Sequence, residues 1–573
     1  MSEVTYIKGK DASLEESISR MQNLLKETGF DVVEASWLNP VPSIYSVHIN
    51  ERTCPGLFTN GKGTIRKATL ASALGEFLER LSTNYFFSDY WLESYPRASD
   101  ATWLYYPDEK QFALEDYKQC LTPDLWAFYD KHQEYQAEDL LGFNDSADYI
   151  RTLPLIEQKT GNTVYFPMSV FSNIYASNGL SAGNTFLEAQ VQSLSEIFER
   201  WVKNKIMREN LCLPEIPEEV VNQFHDVVAA RDALIKEGIE LSIRDASLGG
   251  QFPVINVTLF EQKTGRCFAS FGAHPIFEVA LERTLTESLQ GRQLGDLDGF
   301  QTPVFDEDAV ADDENLENHF IDSSGLVNAR FIASQPDFEF NHWNFSGNTE
   351  AQWQRLLDLV HQQGSDVYLA HYSHYGFPTC RLIVPGMSEI YPCEEITESN
   401  QNMGRALRDI LLALTVESDF SEALDEIEAL GLSEHQGVAS LIGLMPDAGS
   451  FWSQVQITDL RFWLALAAGE HETALDYLQE TLYFVDPTSE RGARYKAFEY
   501  ALEMMLTDQV CKVSFAKLFG ETQAEKVWLG IEGQELFYGA ALGLEIFTSS
   551  QRHQAMLTIY AMTREAKERK FKS

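Results

Sequence analysis

Short runs of β-branched and aromatic residues bounded by turn formers recur along the first two-thirds of the chain. They lie at 30–37, 44–49, 163–176, 239–244, 253–260, 266–271, 367–372 and 379–384, and they predict strands. Between them apolar residues return at helical spacing, so residues 1–400 are predicted to form one α+β domain. From about residue 400 the strand-like runs fade, and helical periodicity predicts an all-α domain over 401–573. Within it Leu464 to Gly469, then Ala474 and Leu475, then Asp486 and Pro487 follow a tetratricopeptide-like helix–turn–helix pattern, which an ordinary helical bundle explains equally well. Two surface insertions are expected, a Tyr/Asp-rich segment near 94–162 and an acidic, solvated loop near 301–320.

Three of the predicted helices carry an echo of one another. Leu74, Glu76, Glu79 and Arg80 match Leu194, Glu196, Glu199 and Arg200, and Leu285, Glu287 and Gln290 repeat most of the pattern. At about 100° per residue, Leu70, Leu74, Phe77, Leu78 and Leu81 form one stripe, opposite Ser72, Glu76, Glu79 and Thr83. The second helix sets Leu187, Val191, Leu194, Phe198 and Trp201 against Glu188, Gln192, Glu196, Glu199 and Lys203. The third sets Leu281, Leu285 and Leu289 against Arg283, Glu287 and Gln290. A polar stripe is ordinarily a solvated face. Here like charges stand one turn apart with no Lys between them, and the same identities recur three times. Carboxylate pairs with carboxamides and nearby arginines are also what Mg²⁺ and a polyphosphate require.

Charge narrows the alternatives. With 44 Lys and Arg against 86 Asp and Glu, the formal charge is −42, which disfavours direct nucleic-acid or membrane binding through a general basic surface. No apolar run suggests a secretory signal or a membrane span. Seven cysteines, with no two closer than Cys380 and Cys393, fit a reducing, cytoplasmic setting. A two-fold homodimer is the base-rate expectation.

Three motifs compete with the acidic echo. Gly56 to Gly63, with Lys62, nearly spells a phosphate-binding loop, but Gly63 stands where a Ser or Thr should ligate metal, so a turn before a helix is the plainer reading. Gly179-Leu180-Ser181-Ala182-Gly183 matches the nucleophile elbow of serine hydrolases; a backbone anion cradle opening a helix fits it better. His371, His374 and Cys380 could suggest a metal, yet positions three apart on a strand face opposite ways, so they are read as structural.

Taken together, Lys10, Asp11 and Ser17, the Thr59–Gly63 turn, the three acidic cassettes, the Ser177–Asn184 turn, the Asp245–Gly250 turn and the Val384–Met387 segment resemble the YcaO-domain family. The resemblance implies an ATP- and Mg²⁺-binding domain that phosphorylates an amide oxygen to make it a leaving group. It implies Glu76, Glu79, Glu196, Glu199 and Glu287 as Mg²⁺-associated acids, with Glu76, Glu199 and Glu287 catalytic. Lys10, Ser17, Arg80, Asn184, Glu188, Gln192, Arg283 and Gln290 would contact nucleotide. Family members that make azolines end in a Pro-rich tail, whereas this chain follows its helical region with Glu568 to Ser573. The departure fits the subgroup associated with the radical methylthiotransferase RimO, which modifies an aspartate of a small-subunit ribosomal protein, with the helical tail available for partner docking. A nucleotide-regulated scaffold and a serine hydrolase through Ser181 stand as alternatives.

Overall fold

The structure is a computed structural model that describes residues 4–93, 103–295, 297–345, 347–394, 396 and 402–572. The start of the expected first insertion and the expected boundary at residue 400 lie outside the described residues.

Among the described residues twelve strands form three sheets. The first is β1 (Val32–Val41), β2 (Ile44–Glu51) and β3 (Phe58–Gly63); the second is β8 (Ile239–Asp245), β9 (Val254–Glu261) and β10 (Arg266–Ala273). The third runs in the order β4 (Lys110–Ala113), β5 (Tyr149–Glu157), β11 (Tyr368–Tyr372), β12 (Thr379–Ile383) and β7 (Leu180–Ala182), with β6 (Thr163–Pro167) also on β5. Every pairing is antiparallel.

The three acidic echoes are explained by how these sheets end. Edge strand β3 turns into helix α2 (Arg66–Ser82), β7 into α3 (Phe186–Arg208), and β10 into α4 (Phe277–Ser288). Each helix lies on its own strand and on the strand of the next unit: α2 on β7, α3 on β10, and α4 on β3. The three units therefore close a ring with their acidic stripes turned inward. The closeness demands small residues where strand meets helix. A Cβ on Gly61 would lie 2.2 Å from the Thr69 carbonyl, and one on Gly272 would lie 2.3 Å from Thr284 Oγ1. Gly61 stands to Ala73 and Glu76 as Gly272 stands to Thr284 and Glu287, and as Ser181 stands to Ser193 and Glu196. An earlier helix, α1 (Leu14–Glu27), is capped by Ser13, whose Oγ accepts the Glu16 N–H at 3.2 Å, and it packs on α2.

Several expectations need correction. The described part of the 94–162 segment is no surface insertion: β4 and β5 belong to the largest sheet, and Tyr105, Tyr106, Ile150, Leu153 and Leu155 enter the same core as Phe77 and Leu78. Its buried Arg151 is held by Asp145 at 2.6 Å and by Glu109, which is why charged residues there do not signal exposure. The acidic 301–320 segment is not a loop throughout; it forms helices Glu307–Ala311 and Asp313–Ile321, which bury Val310 and Leu316. The run at 163–176 is strand only to Pro167. Beyond it Val170, Phe171, Ile174 and Tyr175 recur at helical spacing and are all buried. His371 and His374 meet different neighbours, Gln190 at 3.2 Å and Asp108 at 3.5 Å.

Beyond residue 402 the chain is helical. Helices Ile457–Ala468 and His471–Phe484 pair across Gly469, which has φ 76°. The last helix, Gln551–Phe571, leaves this bundle and places Met556, Leu557, Ile559 and Tyr560 in the core of α2. Tyr560 Oη donates to the Leu104 carbonyl at 2.7 Å. Among the described residues no helix is long and apolar enough to cross a membrane.

Two outcomes are expected. Gly61→Ala should lower the unfolding free energy by about 1–3 kcal/mol in urea titrations, because the colliding atom is backbone and cannot rotate away. His553, at the start of the last helix, is fully buried, accepts the Met445 N–H at Nδ1, and has its pKa lowered by burial from 6.5 to about 4. Between those values the unfolded chain takes up a proton that the folded chain does not. Stability present above pH 6.5 is thus lost as the pH falls to 4, by about 3 kcal/mol. His553→Gln should flatten that part of the stability profile.

Candidate functional site

The ring of α2, α3 and α4 encloses a cavity of about 930 Å³, closed on a further side by the N-terminal segment and α1. Twelve of the thirteen residues picked out from sequence line it: Lys10, Ser17, Glu76, Glu79, Arg80, Asn184, Glu188, Gln192, Glu196, Arg283, Glu287 and Gln290. Glu199 is the exception. It lies behind the lining, where its carboxylate accepts the Ala273 N–H at 3.2 Å and so ties α3 to β10. Burial pushes its pKa up.

At one end, Glu188 is only 4% exposed and is surrounded by donors. Its carboxylate accepts the Asp11 N–H at 2.9 Å and the Asn184 amide at 3.0 Å, and Lys10 Nζ lies 3.2 Å away. Burial works to raise its pKa, but Lys10 and these donors bring it below the usual range. Ser17 Oγ donates to Asn184 Oδ1 at 2.8 Å, fixing that amide. Arg283 Nη1 donates to Gln192 Oε1 at 2.7 Å, and Gln290 donates to the Asn60 carbonyl at 2.6 Å. These bonds link α4 to α3 and to β3.

At the other end acids and cations interleave. Arg80 Nη2 donates to Glu76 Oε1 at 3.2 Å, and its Nη1 lies 3.7 Å from Glu79 Oε1. Arg200 meets Glu196 at 2.6 Å and Asn178 at 2.8 Å, and Lys62 pairs with Glu287. Burial, reinforced by Glu196 and Glu76 against the opposing effect of Arg80, pushes Glu79 up to about 8. Burial and Arg283 bring Lys62 down to about 8. Crowding like charges at an enclosed surface leaves the acids short of positive charge.

The donor set suits magnesium and a polyphosphate. Buried Arg80 Nη1 and Arg283 Nε have no hydrogen-bond partner, which leaves guanidinium donors free for phosphate oxygens. Among the described residues no three His, Cys, Asp or Glu side chains converge as a ready-made metal site. Mg²⁺ is commonly bound through one or two carboxylates together with the phosphates of its substrate. Glu76, Glu79, Glu196 and Glu287 are acids that line the cavity.

Sequence reasoning underweighted three lining residues. Lys62 was set aside with the phosphate-loop near-miss, yet its alternation on β3 aims it at Glu287. Arg200 echoes Arg80 within the cassette. His274 occupies the place that Gly63 and Gly183 hold in the other units, and burial together with Arg283 and Lys10 keeps its pKa well below the usual value. The hydrolase motif is corrected: Ser181 lies within β7, opposite Cys380, and its Oγ is buried with no hydrogen-bond partner. Among the described residues no base is hydrogen-bonded to it, as activation would require.

A family model described as YcaO cyclodehydratase, ATP- and Mg²⁺-binding, matches residues 60–388, and one described as its C-terminal domain matches 404–569. A Haemophilus influenzae protein is 41% identical over 592 residues, covering 100% of both chains. The Escherichia coli protein named ribosomal protein S12 methylthiotransferase accessory factor YcaO is 42% identical over 579 residues, covering 98% of each. Among solved structures, YcaO from Methanopyrus kandleri bound with AMPPCP and Mg²⁺ shares 18% identity at a TM-score of 0.41, over 70% of this chain and 97% of that one. A heterocyclase in complex with substrate and cofactor shares 17% at 0.43, over 68% and 54%. With two family models spanning its α+β and helical regions and full-length relatives above 40% identity, this chain belongs to the YcaO family.

Proposed function

We propose that this protein binds ATP with Mg²⁺ inside the ring of acidic helices and uses it to phosphorylate an amide or carboxyl oxygen. The step would support a RimO-type radical methylthiotransferase acting on an aspartate of a small-subunit ribosomal protein. One observation carries the reading: carboxylates from three separate sheet–helix units, each beside an arginine or lysine, meet at one cavity. A structural ion network has no need of a cavity at its centre.

The chain's own residues divide the work. Lys10, Ser17, Asn184 and Glu188 form a fixed polar end suited to the nucleoside. Arg80, Arg200 and Arg283 supply charge for the phosphates, and Glu76, Glu79, Glu196 and Glu287 hold the metal. Bound Mg²⁺ supplies charge neutralisation at the transferring phosphoryl. Glu199 acts as a positioning residue through its bond to Ala273.

A second reading, a nucleotide-dependent scaffold without chemistry of its own, draws on the relative's name as an accessory factor and on the large helical region. Deleting residues from 402 onward would not separate the two, since it strips Met556, Leu557 and Tyr560 from the core of α2. Point variants of the full chain do. Glu76→Gln and Glu196→Gln should reduce Mg²⁺-dependent release of ADP and phosphate by about 100-fold or more, with folding checked by circular dichroism. Equal turnover by wild type and both variants would sink the enzymatic reading. AMP and pyrophosphate as products would replace phosphoryl transfer by adenylation. Tight AMPPCP binding without turnover, even with the partner methylthiotransferase present, would favour the scaffold.

A further inference from the structure

A second cavity of about 260 Å³ lies beside the first and shares Tyr85, Ala176 and Tyr391 with it. Its unusual feature is Arg381, at the middle of β12. Neighbours Cys380 and Leu382 point to one face of the sheet and join an apolar core; Arg381 points to the other, where Ile383 joins a second core. Arg381 is 5% exposed. No carboxylate among the described residues forms an ion pair with it. Its Nη2 donates to the Ala176 carbonyl, its Cζ lies 4.6 Å from the centre of the Phe171 ring, and Tyr372, Tyr106 and Tyr85 are near it. A guanidinium buried without a counter-charge is costly, and replacing it by an apolar side chain would ordinarily stabilise a fold.

The surroundings point to a ligand. The Tyr106 hydroxyl is buried and lines the cavity, where the hydroxyl it faces is that of Tyr372, a second wall residue. Its ring stacks on Tyr372 at 4.7 Å, and the Lys567 ammonium lies 4.4 Å from its centroid on the far side. Ala176, which separates the two cavities, has φ 44° and ψ −121°, a left-handed backbone that a residue with a Cβ adopts only under constraint. That conformation presents its carbonyl to Arg381. The carboxylate on the wall, Asp89, stands at the exposed rim.

We infer that this second cavity is a carboxylate subsite, built to receive an acidic side chain of a peptide between Arg381 and the Tyr106 hydroxyl. One guanidinium and one hydroxyl balance a single negative charge in a planar group, and the aromatic walls suit an organic acid better than a hydrated inorganic anion. Across Tyr85, whose ring lies 4.3 Å from Arg80 Cζ, the subsite adjoins the acid and arginine end of the larger cavity. Its use for the phosphoryl acceptor rests on the function proposed above; carboxylate binding does not.

The test is titration of the full chain, by ligand-observed NMR, with three probes: N-acetyl-aspartate N-methylamide, its asparagine analogue and inorganic phosphate. The blocked aspartate should bind at least about tenfold more tightly than the other two. Arg381→Met should cost it tenfold or more, and Tyr106→Phe about threefold. Equal binding of aspartate and asparagine, tighter binding of phosphate, no binding of any probe, or an Arg381→Met variant that binds like wild type would each overturn the assignment. Should Arg381→Met fail to fold by circular dichroism, Tyr106→Phe and the asparagine comparison decide. AMPPCP with Mg²⁺ is titrated in parallel: absent nucleotide binding with intact aspartate binding defeats the proposed function and leaves the subsite standing.

Discussion

Like-charged carboxylates brought together at an enclosed surface repel one another and lose solvation, and much of this molecule is arranged around that conflict. Glu76, Glu79, Glu196 and Glu287 come from three helices that the chain delivers separately. Each is met by a cation: Arg80 for the first pair, Arg200 for Glu196, Lys62 for Glu287. Burial first, and then the neighbouring Glu196 and Glu76, still raise the Glu79 pKa against the effect of Arg80. An arrangement of this kind lowers its energy by taking up a divalent cation, and it does so most where the acids cannot retreat. Here they cannot, because the helices carrying them are clamped on two sides.

The clamp follows from the cyclic order of contacts. Because α2 rests on β7, α3 on β10 and α4 on β3, none of the units can move outward without breaking a contact in another. The cross-links seen in detail obey the same order: Glu199 of α3 takes the Ala273 N–H of β10, while Glu287 of α4 and Gln290 just beyond it meet Lys62 and Asn60 of β3. Gly61 and Gly272 set how close the ring closes. A side chain at either place would move its helix outward and with it an acid. Small residues outside the cavity lining therefore belong to its geometry.

Much of this was legible in the sequence, for a definite reason. A carboxylate pair on one helical stripe is a local pattern that recurs on two helices and in part on a third, and it led to the acids; Lys10, Ser17 and Asn184 came from the family resemblance, and together twelve of the thirteen residues fall on one cavity. What was not legible is non-local. Glu199 has the same local context as Glu79, but only the neighbouring strand decides that one lines the cavity and the other lies behind it. The acidic composition of 94–162 suggested exposure, whereas the Arg151 network shows those charges neutralised inside. Arg381 did leave a trace: an arginine within Thr379–Ile383, where every residue is buried, breaks the pattern of a central strand. Periodicity finds stripes, and a single charge in an apolar run is a different kind of signal.

The helical region is bound into this chemistry more closely than its composition suggests. Its last helix supplies Lys567, which is fully buried and donates to the Tyr105 carbonyl while lying over the ring of Tyr106. Tyr106 in turn walls the second cavity, and Tyr560 holds Leu104 beside it. A shift of the last helix would thus reach the carboxylate subsite through one side chain, and the larger cavity through Tyr85 beyond it. Burial holds the Lys567 ammonium pKa well below its usual value, so its charge over the Tyr106 ring is itself set by how tightly that helix is seated. A partner docking on the helical bundle could then alter the site without touching it. Scaffold and catalyst remain distinct readings that meet at one point: the last helix lines neither cavity, but it backs Tyr106, which is a wall of the second.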